Sequence, residues 1–284
     1  MAARFFDLDA LGLALLEESK SRAAMLRQQG TIPCLALVEV GDDPQSATYV
    51  SRKIEDCEKV GIAVRKIVLP KSITQADLLE QILRLDEDSA ITGILVQLPL
   101  PAHLGEGQVL QAISAEKDVD GLHPVNLMSL TTSDPSVIPC TVRGIDAVLQ
   151  HAGFVLEGAN VAVLGRGRLV GGSAALLLSG KSRNATVTIL HRKSRNLKNV
   201  LKNSDVIIAA AGSAHLVTAD MVRSGAVVID VGMSWPEGAL QGDVHPAVAD
   251  VASWMTPPDR SFGVMTRMML LKTVLDLAEK RIAA

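Results

Sequence analysis

The 284-residue chain is 48% apolar and 21% charged, enough apolar side chain to fill two domains or one large one. Its net charge of −3, without a long basic run, argues against nucleic acid or an anionic membrane as the main partner. Three widely spaced cysteines, Cys34, Cys57 and Cys140, show neither metal-ligand spacing nor a disulfide framework, so a reduced, cytoplasmic protein with no bound metal is expected.

Aromatic residues are only 2% of the chain, which leaves the core to Ala, Val, Leu and Ile, as in helix-covered parallel sheets. The opening stretch MAARFFDLDALG carries acids too early for a signal peptide, and no apolar run approaches membrane-spanning length. A first helix is expected over about residues 7–29, ending at Gly30. The strand PCLALVEV follows, then the turn GDDP and a helix closing at Gly61. Next come IAVRKIVLP as a strand, TQADLLEQILRLDED as an amphipathic helix and GILVQLP as a strand. This βαβαβ order predicts a parallel sheet with helices on both faces.

The segment KDVDGLHPVNLMSLTTSDPSVIPCT, rich in Asp, Pro, Ser and Thr, reads as irregular, with a domain boundary near its end. A second series begins there: helix VRGIDAVLQHAG, strand NVAVLG, a helix from about Val170, strand ATVTIL, a helix around NLKNVLKNS, then strands DVIIAAA and AVVIDVG. Such Val/Ile/Ala runs predict strands buried on both faces. A last helix over about residues 265–280 is expected to pack back on the first domain. The fold class is therefore α/β with two domains, residues 1–137 with 262–284 and residues 138–261.

Two stretches carry chemistry. In SATYVSRKIEDCEKVGI, helical winding gathers Arg52, Glu55, Glu58 and Lys59 on one side and Val50, Ile54, Cys57 and Val60 roughly opposite. Lys53 falls among the apolar set, with Tyr49 and Ser46 on its stripe. It either snorkels, keeping its head wet, or lines a cleft where desolvation suits it to proton transfer. The second stretch, NVAVLGRGRLVGGSAALLL, is a strand, a glycine turn and a helix start. Gly165 permits the sharp turn; Gly167 and Gly171 permit close approach of backbone to a diphosphate at the helix N-terminus. A tight structural turn is the alternative. After the next strand stands HRKSR, so His191, Arg192 and Lys193 occupy the place of the acid that holds a ribose 2′-hydroxyl in NAD binders. With Arg166 in the turn, these charges favour the 2′-phosphate of NADP, unless they form only a solvated basic loop.

With these pieces located, the chain resembles the bifunctional methylenetetrahydrofolate dehydrogenase/cyclohydrolase family along nearly its whole length. VGDDPQSATYVSRKIEDCEKVGI, GILVQLPLP and KDVDGLHPVN are similar to three signatures of that family, and PCTVRGI, GRGRLVGG, LHRKS and AVVIDVGM follow in its order. The resemblance implies that Lys53 handles protons near the one-carbon bridge of the folate, with Gln97 tuning its charge state. It implies that Tyr49 stacks on the folate rings, that Ser46 belongs to the same substrate surface and that Asp120 hydrogen-bonds the pterin. Thr141, Gly165, Arg166, Gly167, Gly171, Arg192 and Met233 would serve the NADP site of a Rossmann-like domain. Also implied are a homodimer, tetrahydrofolate one-carbon derivatives as substrates and a place in one-carbon metabolism and purine biosynthesis. From the residues alone, KDVDG around Asp120 could be a plain Asx turn, and Gln97 could simply satisfy loop backbone. His123 and His215 read as loop residues without a role.

One segment departs from the family pattern. Where relatives carry a stretch like TPVPGGVGPMT, this chain reads TPPDRSFGVMT. Loss of two adjacent glycines removes positive-φ options, and Arg260 and Phe262 bring bulk expected to crowd the folate side and weaken its binding. Met128 likewise stands where the family often has glycine. The alternative to a working enzyme is a divergent paralogue, binding a nucleotide in a regulatory role or acting on a modified pterin carrier.

Overall fold

The computed structural model describes residues 2–41, 44–234 and 241–283, the side chains of residues 44–46 excepted. The chain divides into two compact units: Met1–Leu11 with Leu127–Thr266, and Gly12–Asn126 with Arg267–Ala284.

The second of these holds a three-stranded parallel sheet, order β3-β2-β4, with β2 at Cys34–Val40, β3 at Ala63–Leu69 and β4 at Gly93–Val96. Its register pairs Ala36 with Ile94 and Val38 with both Ile67 and Val96. That alternation sends Ala36, Val38, Ile94 and Val96 to one face, where they pack on Leu78, Ile82 and Leu85 of α3 (Gln75–Glu87). Thr74 starts α3 by accepting the backbone N–H of Asp77 at 3.2 Å. In α2 (Pro44–Val60), Val50, Cys57 and Val60 are buried while Arg52, Glu55, Glu58 and Lys59 are exposed, as the wheel predicts. A short α4, Glu106–Ala112, stands where no helix was expected.

The last helix, α9 (Gly263–Ala283), returns to this unit. Arg22 of α1 (Leu8–Gln28) donates to Asp276 at 2.7 Å and Glu279 at 2.6 Å, and Lys272 pairs with Glu18 at 2.8 Å. Arg267 meets the buried carboxylate of Asp56 at 2.7 Å. A buried carboxylate needs such a partner, and Asp56 is invisible to a pattern that sorts only apolar from polar.

The other unit is built on a six-stranded, all-parallel sheet of order β1-β9-β8-β7-β5-β6. Its strands are β1 Arg4–Phe5, β5 Asn160–Leu164, β6 Thr186–Leu190, β7 Val206–Ala209, β8 Val227–Asp230 and β9 Trp254–Met255. The outer pair β1 and β9 was not expected: two residues have no readable period, and the partners lie about 250 positions apart. Phe6 stacks on Trp254 with ring centroids 4.9 Å apart, using two of the few aromatics to seal that end. Strands β5, β7 and most of β8 are buried, but β6 is not. As the edge strand it exposes most of its side chains, Ile189 among them, which corrects the expectation of burial on both faces. The stretch read as irregular contains one short helix, α5 (Pro124–Ser129), before α6 (Cys140–His151).

At the end of β8 the Asp230 carboxyl accepts backbone N–H groups from Val244 at 2.9 Å, Asp243 at 3.2 Å and Gly232 at 3.1 Å. Burial outweighs these bonds and pushes its pKa up to about 6. The folded protein thus holds this proton more tightly than the unfolded chain, whose aspartates titrate near ~4. Its stabilising contribution is full below about pH 4 and is lost as pH rises through about 6. Thermal melts across that window should show a decline that Asp230→Asn flattens; an unchanged slope in the variant would contradict the assignment.

Candidate active site

Lys53 is 6% exposed, which rules out a snorkelling head. Its Nζ donates to Oε1 of Gln97 at 3.0 Å and lies 4.9 Å from the centroid of the Tyr49 ring. Gln97 is itself fixed twice. Its backbone N–H continues the parallel ladder to the carbonyl of Val38 at 2.8 Å, and its Nε2 donates to the carbonyl of Leu98 at 2.7 Å. With the amide nitrogen committed, the amide oxygen faces the lysine. The trio Tyr49, Lys53 and Gln97 is therefore assembled at the carboxyl end of the small sheet, where parallel α/β sheets place their ligands. Nothing is described for the side chain of Ser46, which lies outside the described residues.

The KDVDG segment is more than a plain Asx turn. Asp118, 1% exposed, accepts the N–H of His123 at 2.7 Å and the side-chain amide of Asn126 at 2.9 Å, and burial raises its pKa. Lys117 turns the other way and donates to the carbonyls of Asp86 and of Asp88, the latter at 2.8 Å. Burial lowers the pKa of this lysine. Together they set the half-buried Asp120, followed by Gly121 at φ +68°, close enough for its charge to act on Asp118. Asp118 was missed because one acid among several in a polar stretch carries no spacing signal; only its neighbours Val119 and Leu122, both buried, hint at an inward turn.

In the other unit, a cavity of about 880 Å³ opens beside the glycine turn, lined by Gly165, Arg166, Gly167, His191, Arg192 and Ser194 among others. Among the described residues, no carboxylate lines it. Gly165 has φ +113°, and a Cβ there would lie 2.2 Å from the carbonyl oxygen of Ala210. Gly171, at the start of α7 (Gly171–Ser179), is needed for a different reason than expected. A Cβ there would strike the carbonyl oxygen of Gly165 at 2.3 Å, so this glycine serves the packing of the helix on its own turn and does not line the cavity. The basic loop is a built turn, closed by Ser194 N–H to the His191 carbonyl at 2.7 Å and His191 N–H to the Ser194 hydroxyl at 2.9 Å. Lys193 does not reach the cavity, and neither do Thr141 or Met233. The Thr141 hydroxyl lies 3.1 Å from that of Thr266, and Met233 takes the Ser261 hydroxyl on its sulfur at 3.2 Å.

Family models match both parts of the chain: the catalytic domain of tetrahydrofolate dehydrogenase/cyclohydrolase over residues 7–120, and its NAD(P)-binding domain over residues 139–282. The chain belongs to the tetrahydrofolate dehydrogenase/cyclohydrolase family. Among solved structures it is similar to the bifunctional enzyme FolD of Campylobacter jejuni, with 38% identity, 99% of this chain and 100% of that one covered, and a TM-score of 0.95. It is also similar to the FolD of Trypanosoma brucei, solved with NADP cofactor and inhibitor, at 33% identity, full coverage of both chains and a TM-score of 0.94. A 5,10-methylenetetrahydrofolate dehydrogenase of the silkworm Bombyx mori matches at 35% identity, with 99% and 100% of the chains covered and a TM-score of 0.93.

Within this tetrahydrofolate dehydrogenase/cyclohydrolase the divergent loop takes a form the sequence did not suggest. Phe262 is 4% exposed and sits against α6, where a Cβ on Gly144 would lie 3.1 Å from its ring edge. Its bulk is absorbed by the unit's own core. Arg260 is 60% exposed and lies 3.5 Å from Asp9. No residue from Asp259 to Phe262 has positive φ, so the loop closes without needing glycines there. Met128 is 63% exposed. Phe262→Ala should accordingly cost stability, about 3–5 kcal/mol in denaturant melts; a loss under ~1 kcal/mol would mean the ring is not core. The cavity generates a second expectation. Arg192→Ala should raise the KM for NADP roughly ten- to a hundredfold, from the loss of one charge-assisted phosphate contact, and leave that for NAD nearly unchanged.

Proposed function

We propose that this protein oxidises 5,10-methylenetetrahydrofolate to the 5,10-methenyl form with NADP and hydrolyses that product to 10-formyltetrahydrofolate. The observation that carries the hydrolytic half is the buried Lys53 Nζ held 3.0 Å from Gln97 Oε1 over the Tyr49 ring. The observation that carries the cofactor is a cavity of about 880 Å³ lined by Arg166, Arg192 and a glycine turn, with no carboxylate among its described lining residues. The residues present fit a 2′-phosphorylated dinucleotide: Gly165 allows the tight turn against Ala210, Gly167 faces open space where a diphosphate can approach, and Arg166 and Arg192 match a dianionic phosphate. NADP, when bound, supplies the hydride acceptor.

The roles of the chain's own residues follow from geometry and chemistry. Tyr49 offers an aromatic face to the folate rings and, by cation–π attraction, holds the Lys53 head in place. Asp120 receives the pterin N–H groups. In hydrolysis, water bonds to the methenyl carbon and passes a proton to Lys53 in its amine form. The carbon–nitrogen bond at N5 then breaks as Lys53 returns its proton to that nitrogen, while the added hydroxyl becomes the formyl carbonyl and releases its remaining proton to solvent. Gln97, unable to rotate while its amide nitrogen holds the Leu98 carbonyl, keeps the amine aimed through both transfers. Ser46 completes the substrate surface; Thr141, Gly171 and Met233 support the cofactor from outside the cavity lining.

The protein acts as a homodimer in the cytoplasm, feeding one-carbon units to purine biosynthesis. Supporting this are three free thiols and the outer edge of β3, a parallel edge strand with Val68 59% exposed that suits pairing with a second copy. Among the described residues no helix is long and apolar enough to cross a membrane.

The test is absorbance. Methylenetetrahydrofolate with NADP should yield NADPH and a methenyl intermediate that decays to the formyl product. Lys53→Met should slow that decay by about 10²- to 10⁴-fold, the usual worth of a positioned acid–base group, while NADP affinity stays within about twofold. Full hydrolysis by the mutant would remove Lys53 from the chemistry.

A further inference from the structure

The 880 Å³ cavity is bordered on one side by the segment after β7, with Ala210, Ala211 and Ser213 among its lining. A chain leaving a buried parallel strand must find partners for the N–H groups that the ladder no longer takes. Ala210 is the last to use the sheet, donating to the carbonyl of Leu164 at 2.8 Å. The next three N–H groups all turn to one side chain. Ala211 donates to Oδ2 of Asp243 at 2.5 Å, Gly212 to the same oxygen at 3.1 Å and Ser213 to Oδ1 at 2.6 Å.

Asp243 itself is wholly buried. Its backbone N–H is held by Asp230, its carbonyl accepts the N–H of Val217 at 2.9 Å, and a Cβ on neighbouring Gly232 would lie 2.0 Å from its Oδ2. The carboxylate thus occupies a fitted place with three oriented donors on it. Such a nest is what proteins build for anions, and here the anion is internal and permanent.

We infer that Asp243 is a positioning residue for the dinucleotide: it holds residues 211–213 in their cofactor-receiving shape before the cofactor arrives. This rests on the reading of the cavity as the NADP site. Because the three N–H groups are spent on Asp243, they are not free to bind phosphate; the loop presents its shape and side chains instead. Preorganising a three-residue loop removes an ordering cost that binding would otherwise meet, so the effect falls on affinity. Asp243 touches no reacting atom, and hydrolysis of the methenyl substrate consumes no dinucleotide, so the two activities should separate.

Asp243→Asn keeps the size of the side chain but replaces one accepting oxygen with a donor that opposes an N–H. In the full-length variant, the dissociation constant and KM for NADP should rise on the order of ten- to a hundredfold. Its kcat at saturating NADP and its rate of methenyltetrahydrofolate hydrolysis should stay within about twofold. An unchanged KM for NADP, or an equal fall in both activities, would overturn the inference. A second measurement uses the unmodified protein and stands even if the variant does not fold. Hydrogen exchange should show the amides of Ala211, Gly212 and Ser213 protected without NADP; protection appearing only with NADP would mean that the loop is ordered by its ligand. If the wild-type enzyme reduces no NADP at all, the cofactor reading itself fails, and the exchange experiment still decides whether Asp243 orders the loop.

Discussion

A primary amine that is 6% exposed needs a polar partner, and Gln97 supplies an oxygen 3.0 Å from Lys53. Much of the smaller sheet's upper edge follows from that contact. The oxygen is available because the amide nitrogen is spent on Leu98, and the side chain stands in the right place because its own backbone extends the ladder from Val38. Helix α2 must in turn present Lys53 at that level, with Tyr49 one turn earlier beneath its head. A lysine on an apolar stripe is thus a consequence of where β4 ends.

Buried carboxylates do a comparable service elsewhere. Asp118 gathers the donors of His123 and Asn126, Asp230 those of Gly232, Asp243 and Val244, and Asp243 those of residues 211–213. Asp230 ends strand β8, Asp118 forms a parallel bridge with Ile94 of β4, and Asp243 lies in a bend; each gathers N–H groups that the sheets leave unpaired. A carboxylate accepts several bonds at once, which no hydroxyl or amide oxygen matches, so one buried acid can close a whole turn. The cost is desolvation, visible in the raised pKa of Asp118 and of Asp230.

The divergent loop shows how a family pattern can be broken locally while the surrounding packing is kept. Phe262 is bulky, but Gly144 on the facing helix leaves space for its ring. Ordinary φ values across residues 259–262 remove the need for paired glycines. Arg260 stays at the surface beside Asp9.

The order of the longer helices and strands, the parallel sheets, the inward stripe of α2, the glycine turn and the basic residues after β6 were legible in the sequence, because each depends on neighbours within one element or one turn. Periodicity reports which side of a helix is apolar, and a glycine turn announces itself by composition. What the tertiary structure alone decided depends on residues far apart in the chain. The pairing of β1 with β9, the meeting of Asp56 with Arg267, the burial of Phe262 against Gly144 and the service of Asp243 to residues 211–213 join positions separated by some 30 to 250 residues. The same distinction separates Lys53 from its alternatives. Helical winding placed it on the apolar stripe, but only the arrival of Gln97 from the end of β4 could say whether its head met water or an amide oxygen. Local pattern sets which way a side chain points; its partner is set by how distant segments close-pack, and that information is not periodic.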